Sequence, residues 1–378
     1  MVDKKIDFEK IDPNFKIETE VGEADVCFHD VRKKPFSIYG LYNPCGESVF
    51  KRLPDELATA VNSGVRSLYT NTAGGRIRFS TDSRYVALHA VMPGGFQRFS
   101  HMPLTGGSGF DLFIDDPATG QSRFCRTFVP PLNATDGFVG KVTFPNKAMR
   151  HFTLCMPNYN NLKALYIGLQ ETACLGEGMS YADVPPIVFY GSSITQGGCA
   201  SRPGNAYVNV ISRRLNRDVI NLGFSGSGKG EDNIVDYMAG LSMSVFVCDY
   251  DHNAPDAKHL LATHLKMYQK IRAAHPDIPY IMISKPDFNN AQNSLAGNID
   301  RRNVIIDTYR YACEHGDKNV YFIDGESLFC GPYEDMCTVD GTHPNDLGFA
   351  LMADKIEQTI RRAALQQLIF NQKQGENK

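Results

Sequence analysis

The spacing of apolar and polar positions changes character once along this chain. In the first half, apolar residues recur at every second position in short runs. Arg76-Ile77-Arg78-Phe79-Ser80-Thr81 is a clear case, with the period of a strand that buries one face. Runs of the same kind cover 84–92, 109–114, 122–129, 138–144, 151–156 and 162–168. Gly-Gly, Asp-Asp-Pro, Pro-Pro and Pro-Asn clusters separate them, as hairpins and Greek-key connections require. Many short strands with no convincing helix between them predict an all-β sandwich or jelly-roll domain over 17–175, after an N-terminal extension at 1–16.

Residues 176–186, which end in Asp183-Val184-Pro185-Pro186, read as a linker. Beyond them the apolar runs become continuous, at 187–190, 219–222, 245–248, 280–283 and 320–323. Unbroken runs suit strands covered on both faces. Between them Ala257, Leu260, Leu261, Leu265, Tyr268 and Ile271 recur at helical spacing, as do Leu347, Ala350, Leu351, Ile356 and Ile360, and 205–215 has a helical pattern too. The alternation predicts an α/β domain over 187–378, three layers built on a five-stranded, doubly wound parallel sheet. Ligands of such sheets collect beyond the carboxyl ends of the strands.

A length of 378 residues accommodates two domains of this kind. The net charge of −3 has no dominant sign, which argues against nucleic acid or an anionic membrane as partner. No stretch has the length of a membrane span, and the first residues lack the apolar core of a secretion signal. With ten cysteines and no C-x-x-C pair, the expectation is a reducing cytoplasm, or secretion if a leader was removed. Oligomeric state is not legible.

Three stretches carry chemistry: Gly191-Ser192-Ser193-Ile194 after the first apolar run, Asn221-Leu222-Gly223-Phe224-Ser225-Gly226 after the second, and Asp340-Gly341-Thr342-His343-Pro344-Asn345 near the end. Ser193 falls at the turn leaving a strand, and a serine hydroxyl becomes a nucleophile only when a base takes its proton. His343 is the available base, and Asp340, three residues earlier, can hold its ring in the useful tautomer. Acyl transfer also needs donors for the developing oxyanion. Gly226, the backbone N–H of Ser193 and the side-chain amide of Asn253, after the third strand, are the candidates. The combination points to acyl transfer from an ester.

These blocks resemble the SGNH (GDSL-type) esterase and acyltransferase superfamily over roughly 186–360. Its Ser, Gly, Asn and His would fall on Ser193, Gly226, Asn253 and His343, with the Asp of the last block on Asp340. The resemblance implies a flavodoxin-like sheet, an acyl-enzyme intermediate, no metal and no cofactor. A strand-rich domain ahead of it is similar to a subset that includes carbohydrate-acting esterases, which makes a short acyl ester of a sugar or other small alcohol the expected substrate. Two departures stand out. Ser192 replaces the usual Asp of the first block, and the third block lacks its Gly-x-Asn-Asp form, leaving Asn233 and His252 as substitutes for Asn253.

Other classes compete. Gly223-Phe224-Ser225-Gly226-Ser227-Gly228-Lys229 matches the opening of a nucleotide-binding P-loop, although Gly230 stands where Ser or Thr should ligate magnesium. Asp249-x-Asp251-x-Asn253 opens like a calcium loop, but Ala254 takes the place of its glycine. His29, His89, His101 and His151 are dispersed in sequence and read as structural. A non-catalytic glycan-binding protein is the remaining alternative, with Tyr42, Phe96 or Phe99 as the aromatic surface.

Overall fold

The computed structural model describes residues 8–12, 16–96, 98–290 and 294–375. After a short helix at Phe8–Ile11 (α1), the first half supplies strands Val26–Asp30 (β1), Ser37–Tyr39 (β2), Arg76–Thr81 (β3), Tyr85–Val91 (β4), Phe110–Asp115 (β5), Ser122–Phe128 (β6), Gly137–Thr143 (β7), Arg150–Cys155 (β8), Ala164–Gln170 (β9) and Leu175–Glu177 (β10). They form two antiparallel sheets, one in the order β1-β9-β4-β7 and one in the order β10-β3-β8-β5-β6, with β2 also on β3. Ile77, Phe79, Phe110, Leu112, Phe152 and Leu154 from the second sheet meet Val86, Leu88, Leu165 and Ile167 from the first. Both inner faces close on one apolar layer, which makes a sandwich.

The polar face of β3 is not in water, as its alternation suggests. Arg76 and Arg78 are buried against the second domain. Arg76 bonds Asp218, and Arg78 donates to the Asn216 side chain at 3.0 Å. The Arg76 and Arg78 guanidiniums lie 5.3 and 3.6 Å from the Tyr181 ring centroid. Residues 176–186 are therefore packed into the structure at Tyr181, and β10 pairs with β3.

Asp55–Val61 (α2) and Ser63–Leu68 (α3) also depart from the all-strand reading of the first half. Asn62 ends one helix and caps the next, its side chain accepting the Val65 N–H at 2.8 Å. Leu53, Ala58 and Val65 join the apolar core of the α/β domain beside Leu222, Ile234 and Met238. A further short helix, Leu104–Ser108 (α4), precedes β5.

In the second half the strands are Ile187–Gly191 (β11), Val219–Gly223 (β12), Val245–Asp249 (β13), Tyr280–Ile283 (β14) and Val320–Ile323 (β15), all parallel, in the order β12-β11-β13-β14-β15. This is the flavodoxin-like order, whose switch point lies beside the first strand. The helices are Ser193–Gln196 (α5), Tyr207–Leu215 (α6), Asp232–Ala239 (α7), Ala257–Ala274 (α8), Leu295–Glu314 (α9) and Asp346–Gly375 (α10). Residues of α7, α8 and α9 share one core with one face of the sheet. Residues of α5, α6 and α10 share the other.

Strand β12 lies at the sheet edge, so its outward carbonyls need donors. The first half provides them. Arg76 Nη2 donates to Val219 O at 3.2 Å, and Arg52 Nη1 donates to Asn221 O at 3.2 Å and to Gly223 O at 2.5 Å. Two buried arginines thus seal the edge that leads to the Gly226 turn. Among the described residues, no helix is long and apolar enough to cross a membrane.

Candidate active site

Strand β11 ends at Gly191, and the chain turns at once into α5. A Cβ on Gly191 would lie 2.0 Å from Thr195 Oγ1, so only glycine lets the helix close on the strand this tightly. Ser192 is extended and its hydroxyl accepts the Ile194 N–H at 3.1 Å, capping the helix. This explains how serine stands where the resemblance leads one to expect Asp: the position caps α5. Ser193 is the first helical residue and is 8% exposed.

Ser193 Oγ lies 2.9 Å from His343 Nε2, and His343 Nδ1 lies 2.8 Å from Asp340 Oδ2. The other oxygen of Asp340 accepts the backbone N–H groups of His343 at 2.7 Å and Thr342 at 3.0 Å. Burial pushes the Asp340 carboxyl up, but these bonds with His343 and Thr342 outweigh it and hold it below the usual range. The carboxylate is therefore ionised where it meets the ring. The loop is pinned from behind, with Val339 N–H donating to His343 O at 2.9 Å and Asn345 N–H to Cys337 O at 3.0 Å.

Gly226 adopts φ +64 in the turn after β12. The neighbouring amides point inward: Ser225 N–H donates to Gln196 Oε1 at 3.0 Å, and those of Ser227 and Gly228 donate to Phe224 O at 2.9 and 3.1 Å. The Asn253 amide donates to the same Phe224 oxygen at 2.8 Å, which brings Asn253 onto the Gly226 turn with one N–H left over. The two substitutes for Asn253 are engaged elsewhere. His252 Nε2 is 2.9 Å from Asp287 Oδ1, and Asn233 lies in α7 with its side chain accepting the Ile234 N–H.

The competing motifs do not assemble. No helix opens at Lys229; α7 begins at Asp232, after Glu231, and the inward amides leave no phosphate cradle of the P-loop kind. The carboxylates of the calcium-like run diverge. Asp251 binds the Lys285 N–H and Arg301. Asp249 accepts Tyr207 at 2.9 Å and Thr195 at 3.0 Å beneath the site. Burial pushes the Asp249 carboxyl up to about 7, against the two hydroxyl bonds. A raised carboxyl pKa makes the folded state hold a proton that the unfolded state releases, so stability declines as pH climbs from about 4 to about 7. Asp249→Asn should flatten that decline in melts run across this interval.

The first half contributes directly to the site, which the sequence did not indicate. Tyr159 Oη donates to Ser193 O at 3.2 Å, and burial pushes its phenol up, keeping it a donor. Asn158 Nδ2 donates to Gly197 O at 3.3 Å. Phe99 stands edge-on to Tyr159, with ring centroids 5.7 Å apart. His101, read from sequence as a dispersed structural residue, lies beside His343 and Asp340. Its ring is 5.9 Å from that of His343, and its Nε2 is 3.9 Å from Asp340 Oδ2. A loop from the other domain carries it there, so no local pattern marks it.

A GDSL-like lipase/acylhydrolase family model matches residues 185–361, and a model for the N-terminus of SGNH hydrolase-type esterases matches 26–175. The chain belongs to the GDSL-type (SGNH) hydrolase family. It is an enzyme of ester hydrolysis or acyl transfer. A GDSL-like lipase from Bacteroides ovatus is similar over 90% of this chain and 98% of its own, with a TM-score of 0.80 and 28% identity. The salicylyl-acyltransferase SsfX3 from a tetracycline biosynthetic pathway aligns over 91% of this chain and 98% of its own, with a TM-score of 0.69 and 20% identity. A family two carbohydrate esterase from Clostridium thermocellum, in complex with cellohexaose, aligns over 86% and 98%, with a TM-score of 0.59 and 13% identity. These last two share the fold. No curated protein matches. The two-domain arrangement of this GDSL-type chain thus extends along nearly the whole of each of these solved chains.

Proposed function

We propose that this GDSL-type enzyme is a serine esterase that removes a short acyl group, such as acetyl, from a carbohydrate or other small alcohol. The observation that carries the reading is the continuous line from Ser193 Oγ through the His343 ring to Asp340. His343 Nε2 takes the Ser193 proton as the oxygen attacks the ester carbonyl. Asp340 keeps Nδ1 protonated and stabilises the imidazolium. The oxyanion meets the amides of Ser193 and Gly226 and the side chain of Asn253. His343 then protonates the leaving alcohol and activates water, or an acceptor alcohol, which takes the acyl group from the acyl-serine and restores the Ser193 hydroxyl.

Narrow surroundings support a short acyl group. A Cβ on Gly198 would already lie 2.9 Å from Tyr159 Oη and 3.4 Å from His343 Cδ2. The fold shared with a carbohydrate esterase supports a sugar alcohol, and Phe99, 36% exposed, offers an aromatic face near the triad.

A series of p-nitrophenyl esters, run beside acetylated xylan, tests the substrate class. We expect kcat/KM to drop at least about tenfold from acetyl to octanoyl, with acetate released from the polysaccharide. A preference for octanoyl would replace the short-acyl reading with a lipase-like one. In the same assay Asn253→Ala should lower kcat by about 10²- to 10³-fold, the effect of one oxyanion donor. An unchanged kcat would remove Asn253 from that role.

A further inference from the structure

Three metal-ligating side chains meet beside Ser193. One ligand atom each from His101, Cys199 and His343 lie within 4.8 Å of one another. They come from three separate stretches: the segment between β4 and α4, the loop after α5, and the loop before α10. Local structure therefore does not force them together. Cys199 is buried, and it holds φ +69, an uncommon conformation for a residue with a side chain. His343 has Nδ1 engaged by Asp340, so Nε2, the nitrogen facing Ser193, is the one left for a ligand.

We propose that His101, Cys199 and His343 form an inhibitory site for a thiophilic divalent cation such as Zn2+. Zinc takes both imidazole nitrogen and thiolate sulfur as ligands, and three protein ligands leave its fourth position to water or the Ser193 hydroxyl. Tetrahedral zinc sets its ligand atoms about 3.5 Å apart, so side-chain rotation of about 1 Å closes the cluster. Asp340 is already placed as the outer carboxylate on His343 Nδ1, the arrangement that orients zinc-bound histidines. It also stands 3.9 Å from His101 Nε2. On binding, the cation replaces the Cys199 thiol proton, which leaves to solvent, and occupies the Nε2 lone pair of His343. No oxidation state changes. His343 can then no longer accept the Ser193 proton, and turnover stops. The inference goes beyond the esterase reading, which needs no metal.

The test uses the full chain in two assays. In the first, Ser193→Ala protein is titrated with Co2+ as a spectroscopic stand-in for zinc. A thiolate-to-cobalt charge-transfer band is expected, lost in Ser193→Ala/Cys199→Ala and displaced by Zn2+. In the second, Zn2+ inhibition of ester hydrolysis is measured against each protein's own metal-free rate and reversed by EDTA. Cys199→Ala and, should that variant misfold, the exposed-loop variant His101→Ala should need at least about tenfold more Zn2+ for half inhibition. Absence of the cobalt band, or inhibition of the folded variants at wild-type Zn2+ concentrations, would overturn the site. The cobalt titration reads ligation without turnover, so its failure is distinguishable from failure of the esterase reading.

Discussion

Ser193→Ala should lower ester turnover by at least about 10⁴-fold and leave the fold intact. The Ser193 hydroxyl meets His343 Nε2, whereas the helix it opens is capped by Ser192. Alanine suits the first turn of a helix, so the substitution removes a nucleophile and little else. His343→Ala should cost on the order of 10³-fold or more in the same assay. The double variant should be little worse than Ser193→Ala alone, because a base has no role without its nucleophile. Initial rates on a p-nitrophenyl ester, with a thermal melt of each variant, check all three statements. Residual activity within about tenfold of wild type would remove Ser193 from the proposed mechanism.

The second large effect is structural and lies in the other half of the chain. Arg52→Met should destabilise the protein by about 3–5 kcal/mol. Arg52 is 2% exposed and donates to Asn221 O, Gly223 O and Leu68 O. Methionine fills similar space but leaves those carbonyls without donors, and a buried polar group without a partner costs about 1–3 kcal/mol. The guanidinium also sits 4.4 Å from the Phe224 ring centroid, and that contact disappears. Because β12 leads into the Gly226 turn, kcat should fall together with stability. Arg52→Lys should rescue only part of the loss, since one ammonium cannot stand both where Nη1 meets Asn221 O and Gly223 O and where Nη2 meets Leu68 O. Thermal melts should show a drop of at least about 5 °C for Arg52→Met. A wild-type melting curve would mean that the edge of β12 does not depend on this arginine.

Much of this architecture is legible in the residue pattern, and the exceptions share a cause. All five parallel strands coincide with the continuous apolar runs, because burial on both faces leaves an unmistakable signature. The seven period-two segments likewise became strands. Helices α2 and α3 escaped because their apolar residues, such as Leu57, Val61, Val65 and Leu68, point to a core in the other domain. Their helical spacing was available in the sequence, broken only by Asn62. The polar face of β3 misled for the same reason, since Arg76 and Arg78 are buried by a partner surface that no local period announces. At the site, Ser193 ends up just after β11, while Asp340 and His343 share the loop before α10, and their short motifs are what mark them in the sequence. Tyr159 and His101 come from the sandwich, and only tertiary packing brings them to Ser193. Asn253 is an intermediate case: its position after β13 marks it, while only the folding of β12 and β13 onto either side of β11 brings the Gly226 turn to its side chain.

The most direct test of the account is covalent labelling of the serine. The purified wild-type protein and Ser193→Ala are each treated with a fluorophosphonate probe, and any adduct is located by peptide mass spectrometry. One phosphonyl group is expected on the peptide containing Ser193, and none at that peptide in the variant. No adduct on a protein shown to be folded, or an adduct at another residue that persists in Ser193→Ala, would contradict the nucleophilic role of Ser193.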